Sequence, residues 1–509
     1  MLAYTPVKVS PEAAFLSHFD RELREISAAP MQKQGRINPE RSMTTLTQEN
    51  LISLLADIAG ADKVRTDADS LETFGKDWTK VYAPKPTAIV FPKTTEQVAA
   101  IVKLANEHGL ALVPSGGRTG LSAGAVAANG EIVVAFDYMN QITEFNATDR
   151  TVKCGAGVIT EQLQNYAEEQ GLFYPVDFAS AGSSQIGGNI STNAGGIKVI
   201  RWGMTRDWVA GLTVVTGKGD ILELNKDLMK NNTGYDLRQL FIGGEGTLGF
   251  VTEATMRLTR QPKNLTVLVL GVPELDDVMK VLHQFQSSMD LTAFEFFSDK
   301  ALQKVLARGD VPAPFESSTD YYALIEFEAV NESEMDQAMQ MFEACMEEGW
   351  VIDGVISQSE TQAANLWRLR EDISETISEW TPYKNDISVV VSKVPPFLRD
   401  IDDIVSREYP DFEIIWFGHI GDGNLHLNIL KPDDLPKEEF FERCSKVSVW
   451  VFETVQKYAG SVSAEHGVGM TKKPYLQYTR SETEIAYMKA MKQVFDPQNV
   501  MNPGKLIDA

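Results

Sequence analysis

The glycine-rich loop Ser115-Gly-Gly-Arg-Thr-Gly-Leu-Ser-Ala-Gly124 is followed by a strand, and that order constrains the fold more than any other feature. Residues 87–91 are apolar and β-branched, and Thr94-Thr-Glu-Gln97 reads as a capping box. Val98, Ile101, Val102 and Ala105 then form a buried stripe that ends at Gly109. Residues 110–114 make the next strand, the glycine loop follows, and residues 131–136 are strand-like again. A Rossmann loop needs a helix directly after it, so that the helix N-terminus faces the pyrophosphate. Gly244-Glu-Gly-Thr-Leu-Gly249 matches G-x-G-x-x-G by letter, but residues 250–258 after it are also strand-like. A Rossmann dinucleotide domain is therefore excluded.

A second glycine-rich stretch, Gly182-Ser-Ser-Gln-Ile-Gly-Gly-Asn-Ile-Ser-Thr-Asn-Ala-Gly-Gly196, carries small hydroxyl and amide side chains. Either loop alone can be explained by tight turns. Two of them in one region of short strands favour phosphate held by backbone N–H groups. After Gln261-Pro-Lys the composition changes to apolar strands at 265–272, 321–327 and 387–394, separated by acidic amphipathic helices such as 332–348. This pattern predicts an α+β domain on an antiparallel sheet.

Three of the six histidines lie in His419-Ile-Gly-Asp-Gly-Asn-Leu-His426 and Glu465-His466-Gly467. Asp422-Gly423 between alternating flanks is a two-residue hairpin signal. That register would pair Gly421 with Asn424, Ile420 with Leu425 and His419 with His426. Opposed residues on one face have Cβ atoms roughly 4.5–5.5 Å apart, close enough for two imidazoles to share a metal. Glu465 could supply a third ligand, leaving an open position that suits catalysis. The bland alternative is a pair of core histidines satisfied by backbone groups.

A chain of 509 residues suits two or three domains. The net charge of −24 argues against nucleic acid and anionic membrane as partners, and no apolar run is long enough to span a bilayer. Cys154, Cys345 and Cys444 are too dispersed for a disulfide framework or an iron–sulfur motif, which fits a cytoplasmic location and a separate electron carrier. Phe15, Phe19, Leu23 and Ile26 follow a helical spacing in a segment unlike a secretory or transit peptide. It reads as a docking helix, or as extra sequence ahead of a start at Met31 or Met43, and in either case as a peripheral segment without catalytic work.

Pro114-Ser-Gly-Gly-Arg-Thr-Gly120, Gly187-Gly-Asn-Ile-Ser-Thr-Asn-Ala-Gly-Gly196, Gly243-Gly-Glu-Gly-Thr-Leu-Gly249, both histidine motifs and Asp496-Pro-Gln-Asn-Val-Met-Asn-Pro-Gly504 occur in one order over residues 48–509. In these motifs the chain resembles vanillyl-alcohol oxidase/p-cresol methylhydroxylase-type flavoproteins, in their D-2-hydroxyacid dehydrogenase branch. The resemblance implies an α+β fold with a two-subdomain FAD-binding domain and a cap on an antiparallel sheet. The expected division is an N-terminal extension at 1–47, the FAD-binding domain at 48–261, the cap at 262–455, and a segment returning to the flavin at 456–509. It also implies cofactor contacts from Pro114, Ser115, Gly116, Gly117, Arg118, Thr119, Gly120 and Ser122 of the first loop. Gly182, Ser183, Gly187, Gly188, Asn189, Thr192, Asn193, Gly195 and Gly196 would contribute from the second, joined by Gly246, Val251 and Asn502. Some relatives attach flavin through a histidine of the first loop; Arg118 and the lack of histidine there imply non-covalent FAD.

Within that branch the nearest likeness is to members that oxidise D-2-hydroxyglutarate to 2-oxoglutarate. It implies His419, His426 and Glu465 as ligands of one divalent metal, zinc by the family's habit, although manganese, cobalt or iron would accept the same donors. His466 would be the catalytic base, with substrate held by Arg370, Ser374, Lys384 and Asn428. Ser374 departs from the threonine more usual in the family. Arg370 and Ser374 are four apart and would share a face of a helix at 361–378. The expected partners are a small 2-hydroxy acid, an acceptor such as electron-transfer flavoprotein, and a second copy in a homodimer. The competing readings are a D-lactate or glycolate dehydrogenase, a flavin-free zinc hydrolase, and a catalytically silent FAD-binding protein.

Overall fold

The computed structural model describes residues 46–79 and 81–508, so the helical spacing from Phe15 to Ile26 lies outside the described residues. A four-stranded sheet has the order Val64–Arg65, Ala88–Val90, Ile132–Ala135, Leu112–Ser115, with the last three strands parallel. The helix Thr95–His108 crosses between two of them, burying Val98, Ile101, Val102 and Ala105 as the spacing predicts. Thr94 Oγ1 accepts the Gln97 N–H, and Gly109 ends the helix at φ 63°. The reciprocal half of the capping box falls one residue early, since Gln97 Oε1 accepts the Lys93 N–H.

A five-stranded sheet follows, ordered Ile142–Asn146, Thr151–Gly155, Gly249–Arg257, Val209–Thr216, Ile221–Leu224, and it is antiparallel throughout. The strand Gly249–Arg257 sits at its centre, so the G-x-G-x-x-G match does run into a strand. The second glycine-rich stretch is not all loop: Ile186–Thr192 forms a short helix.

The third sheet has seven antiparallel strands, ordered Asp353–Ile356, Leu265–Val272, Tyr321–Glu328, Leu291–Ser298, Ile414–Gly418, Asn424–Ile429, Tyr383–Ser388. Both faces are covered. Leu268 and Leu270 point into one core with the helices Leu275–Gln286, Val394–Glu408 and Lys437–Lys457. Val267 and Val269 point into the other, with Asp299–Leu306 and Glu360–Glu371. Double coverage explains why these strands read as continuous apolar runs instead of alternating.

Three expectations need correction. The strand expected at 387–394 is Tyr383–Ser388; prolines 395 and 396 then enter the first turn of the helix Val394–Glu408, where a missing N–H costs nothing. The helix expected at 361–378 stops at Glu371 and resumes as the short helix Ile373–Thr376. In the hairpin Phe417, not His419, pairs with His426, so the turn comprises residues 419–423. Within it the Asp422 and Asn424 N–H groups both donate to the His419 carbonyl. A two-residue turn cannot form because Gly421 donates its N–H sideways, to Phe294 on the neighbouring strand.

The C-terminal run returns to the first sheet, where the Leu112 N–H donates to the Val500 carbonyl and the Asn502 N–H donates to that of Leu112. No helix among the described residues is long and apolar enough to cross a membrane.

Candidate active site

The first glycine loop and the helix Ile186–Thr192 face each other across a cleft of about 870 Å³, open solvent included. Their approach depends on glycine, since a Cβ at Gly117 would lie 2.2 Å from the Ser183 carbonyl oxygen. Of the expected cofactor residues, Pro114, Gly116, Gly117, Arg118, Thr119, Gly120, Ser122, Gly187, Gly188, Asn189, Thr192 and Val251 line the cleft. Ser115, Gly182, Ser183, Asn193, Gly195, Gly196, Gly246 and Asn502 do not. Several of these have other tasks. Asn502 is fully buried and its amide bridges the carbonyls of Gly124 and Glu245, both at 2.8 Å. Gly246 packs against Pro114.

Asp77, Gln185 and Glu245 also line the cleft and were missed by sequence reasoning: Asp77 lies outside the glycine motifs, and Gln185 and Glu245 lie within them among residues read for their backbone N–H groups and not for their side chains. Asp77 Oδ2 and Gln185 Oε1 are buried there without a hydrogen-bond partner. Unpaired buried acceptors are costly unless a ligand supplies donors. The hydroxyl groups of a flavin's ribityl chain or of a ribose are such donors, so the residues present fit FAD.

The histidine centre adjoins the end of the second glycine stretch, where the Gly196 N–H meets Glu465. The rings of His419 and His426 are 5.4 Å apart, and His466 stacks 6.2 Å from His426. One donor atom from each of His419, His426 and Glu465 lies within 4.8 Å of the others. His419 Nδ1 is 2.8 Å from the buried carboxylate of Glu295, which leaves Nε2 facing Glu465 Oε1 at 3.5 Å. A carboxylate behind a ligating imidazole orients the ring and raises its basicity. Glu465 Oε1 also accepts the Gly196 N–H at 2.9 Å, which ties the second glycine stretch to this centre. The donor set, two imidazoles and a carboxylate with oriented rings, fits a divalent metal.

Asp386 is the hub beneath His466. It accepts the N–H groups of Glu465 and His466, each at 3.1 Å, and lies 3.3 Å from His466 Nδ1 and 4.0 Å from His426 Nδ1. Asp386, Glu465 and His466 form a second cluster of donor atoms. There the Lys472 ammonium, 3.3 Å from Asp386, already supplies the positive charge, so the first group is the better metal site. Burial works against Asp386's charge, but His466, Lys472 and His426 hold it well below the usual carboxylate range. Burial also opposes charge on His419, yet Glu295 and Glu465 push it up to about 9. His426 falls well below the ordinary histidine value through burial and its neighbour His419. His466 is lowered by burial, against the pull of Asp386.

The expected substrate residues form two groups. Lys384 Nζ donates to Ser374 Oγ at 3.0 Å, and Lys384 stands opposite Asn428 in the sheet. The Asn428 amide nitrogen donates to the carbonyls of Ile415 and His426. Arg370 is buried, 2.8 Å from Glu295 and stacked over Phe417, so its charge is already paired; its Nε has no partner. Glu295 and Asp386 carry no sequence signal. Each sits on a strand remote from its histidine, 124 and 80 residues away.

Residues 86–225 match the FAD binding domain family, and residues 261–506 match the C-terminal domain of FAD linked oxidases. The D-2-hydroxyglutarate dehydrogenase of Stutzerimonas stutzeri (strain A1501) is 71% identical over 464 residues, covering 91% of this chain and 100% of that protein. The mitochondrial D-2-hydroxyglutarate dehydrogenase of Danio rerio is 33% identical over 507 residues, covering 98% and 93%. Among solved structures, p-cresol methylhydroxylase with substrate bound superposes with a TM-score of 0.71 at 16% identity, over 91% of this chain and 97% of its own, and shows a shared fold. The chain belongs to the D-2-hydroxyglutarate dehydrogenase family, FAD-binding oxidoreductases of the vanillyl-alcohol oxidase/p-cresol methylhydroxylase fold.

Proposed function

We propose that this protein oxidises D-2-hydroxyglutarate to 2-oxoglutarate, using non-covalent FAD and one divalent metal, zinc in the first instance. The observation that carries the reading is the cluster of His419, His426 and Glu465 with His466 stacked beside His426. Residues 48–261 serve as the FAD-binding domain, 262–455 as the cap, and 456–509 bring Glu465 and His466 back to the flavin side. Bound FAD supplies the acceptor for the hydride leaving Cα. A metal held by the three ligands supplies the Lewis-acid charge that acidifies the 2-hydroxyl. His466 turns Nδ1 toward Asp386, which leaves Nε2 to take the hydroxyl proton. Lys384 with Ser374 receives the distal carboxylate, and Arg370, its charge shared with Glu295, offers the unpartnered Nε. Lactate and glycolate have no distal carboxylate to engage them. Electrons then leave to a separate protein such as electron-transfer flavoprotein, in a cytoplasm that keeps the buried cysteines 154, 345 and 444 as thiols.

Anaerobic mixing with D-2-hydroxyglutarate, D-malate, D-lactate and glycolate, with and without a chelator, tests this reading. The flavin absorbance should bleach fastest with D-2-hydroxyglutarate and slow sharply after chelation. Equal bleaching by D-lactate would overturn the substrate assignment, and a colourless protein would overturn the flavin chemistry.

A further inference from the structure

The loop that carries Glu465 and His466 has no helix or strand of its own, yet its backbone is held from two sides by buried carboxylates. Asp386, on the strand Tyr383–Ser388, accepts the Glu465 and His466 N–H groups. Glu245 stands in the turn before the strand Gly249–Arg257 and accepts the Val468 and Gly469 N–H groups, both at 2.7 Å. Between the two pairs Gly467 reverses the chain at φ +75°, where a Cβ would lie 3.1 Å from the Glu245 carboxyl group. Both oxygens of Glu245 are used on this loop. Asp386 spends its own on the loop, Lys472 and the Asn424 amide.

Two buried carboxylates are expensive to keep, and hydrogen bonds to a charged acceptor are roughly twice as strong as neutral ones. Neither carboxylate touches the donor atoms of the metal cluster other than through Asp386's approach to the histidine rings. Glu245 touches none of them, and reaches His466 only through the backbone two and three residues on. We infer that Asp386 and Glu245 are paired positioning residues, one from the antiparallel sheet and one from the flavin side, that together set where His466 meets the substrate. This rests on the proposed role of His466 as the base. It adds that the G-x-G-x-x-G match, useless as a dinucleotide fingerprint, contributes the glutamate that anchors the catalytic loop.

Hydrogen exchange and steady-state kinetics on the FAD-loaded protein test the inference together. In the wild type, amides 465, 466, 468 and 469 should exchange at least about tenfold more slowly than the exposed segment 226–236, although neither has regular structure. Glu245→Gln turns an NH₂ group toward one of the two N–H donors. It should speed exchange at 468 and 469 and lower kcat on the order of 10²-fold, with KM little changed and FAD retained. Glu245→Asp keeps a carboxyl group and should recover part of kcat, while Asp386→Asn should free the 465–466 side. Glu328→Gln, which breaks the remote pair with Arg260, should leave both readouts at wild-type values. Fast wild-type exchange at amides 465, 466, 468 and 469, or looser exchange without a fall in kcat, would overturn the inference. If one variant does not fold, the wild-type comparison and the other variant decide. Absence of D-2-hydroxyglutarate turnover in the wild type would instead overturn the proposed function, leaving the exchange arms to judge the clamp.

Discussion

In its proposed role as base His466 must be uncharged to accept a proton, and two opposed effects of its surroundings bear on that. Burial removes water from the imidazolium and lowers the pKa; Asp386 favours the charged form but does not win. The neutral base therefore persists to lower pH than an ordinary histidine would allow. In a pH profile of kcat/KM, the acid limb assigned to this residue should fall below 6.5, with no loss between pH 7 and 8. An acid limb centred at or above 6.5 would contradict the environment described. At this scale the sequence disclosed the groups proposed to do chemistry and concealed those that contact them. His419, His426, Glu465 and His466 stand in two short motifs, and histidine is scarce enough here to be noticed. Glu295 and Asp386 are single acidic residues among 71, made significant only by the folding of the sheet.

The hairpin and the glycine stretches show what an element can carry. The expected register was wrong by two residues, yet His419 and His426 still meet, because side chains alternate with a period of two. A slip of one would have sent them to opposite faces. Phase along a strand was legible; the turn was not, since it depends on a bond from Gly421 to a strand more than a hundred residues away. The second glycine stretch was legible as a place of close backbone approach, but not that its Gly196 N–H donates to Glu465 of the proposed metal site. Gly196 has φ +112°, and a Cβ there would lie 2.0 Å from the Asp177 carbonyl oxygen. Gly196→Ala should therefore cost about 1–3 kcal/mol and move the N–H away from Glu465. Equilibrium unfolding would read the first effect. Metal retained after dialysis against a weak chelator would read the second, and both should fall together.

Across the whole molecule, the flavin side and the seven-stranded sheet are joined by buried polar contacts as well as by the chain. Lys198, just beyond Gly196, pairs with Glu326 on the sheet, and Trp367 donates to the same carboxylate. The C-terminal run closes the other side through Lys492, a fully buried ammonium that donates to Asp496 and to the carbonyls of Thr247 and Met501. Asp496 in turn accepts the N–H groups of Val500 and Met501. The Asp496-to-Gly504 motif is thus a folded cap on one cation, and it sets Asn502 against the carbonyl of Glu245. Lys492→Met would fill the volume and leave Asp496 buried without its counter-charge, which typically costs about 3–5 kcal/mol. The loss should spread along the motif to Asn502 and so to the cleft wall, weakening FAD as well as the fold. Thermal unfolding with and without added FAD separates the two effects. A variant that only lost stability would keep the wild-type shift on adding cofactor, whereas a disturbed cleft gives a smaller shift at the same FAD concentration. Replacing Asp496 by leucine in the same chain removes the orphaned charge. That should restore part of the stability but not the FAD-induced shift, because the Asp496 bonds to the Val500 and Met501 N–H groups would then be gone together with the Lys492 bond to the Met501 carbonyl.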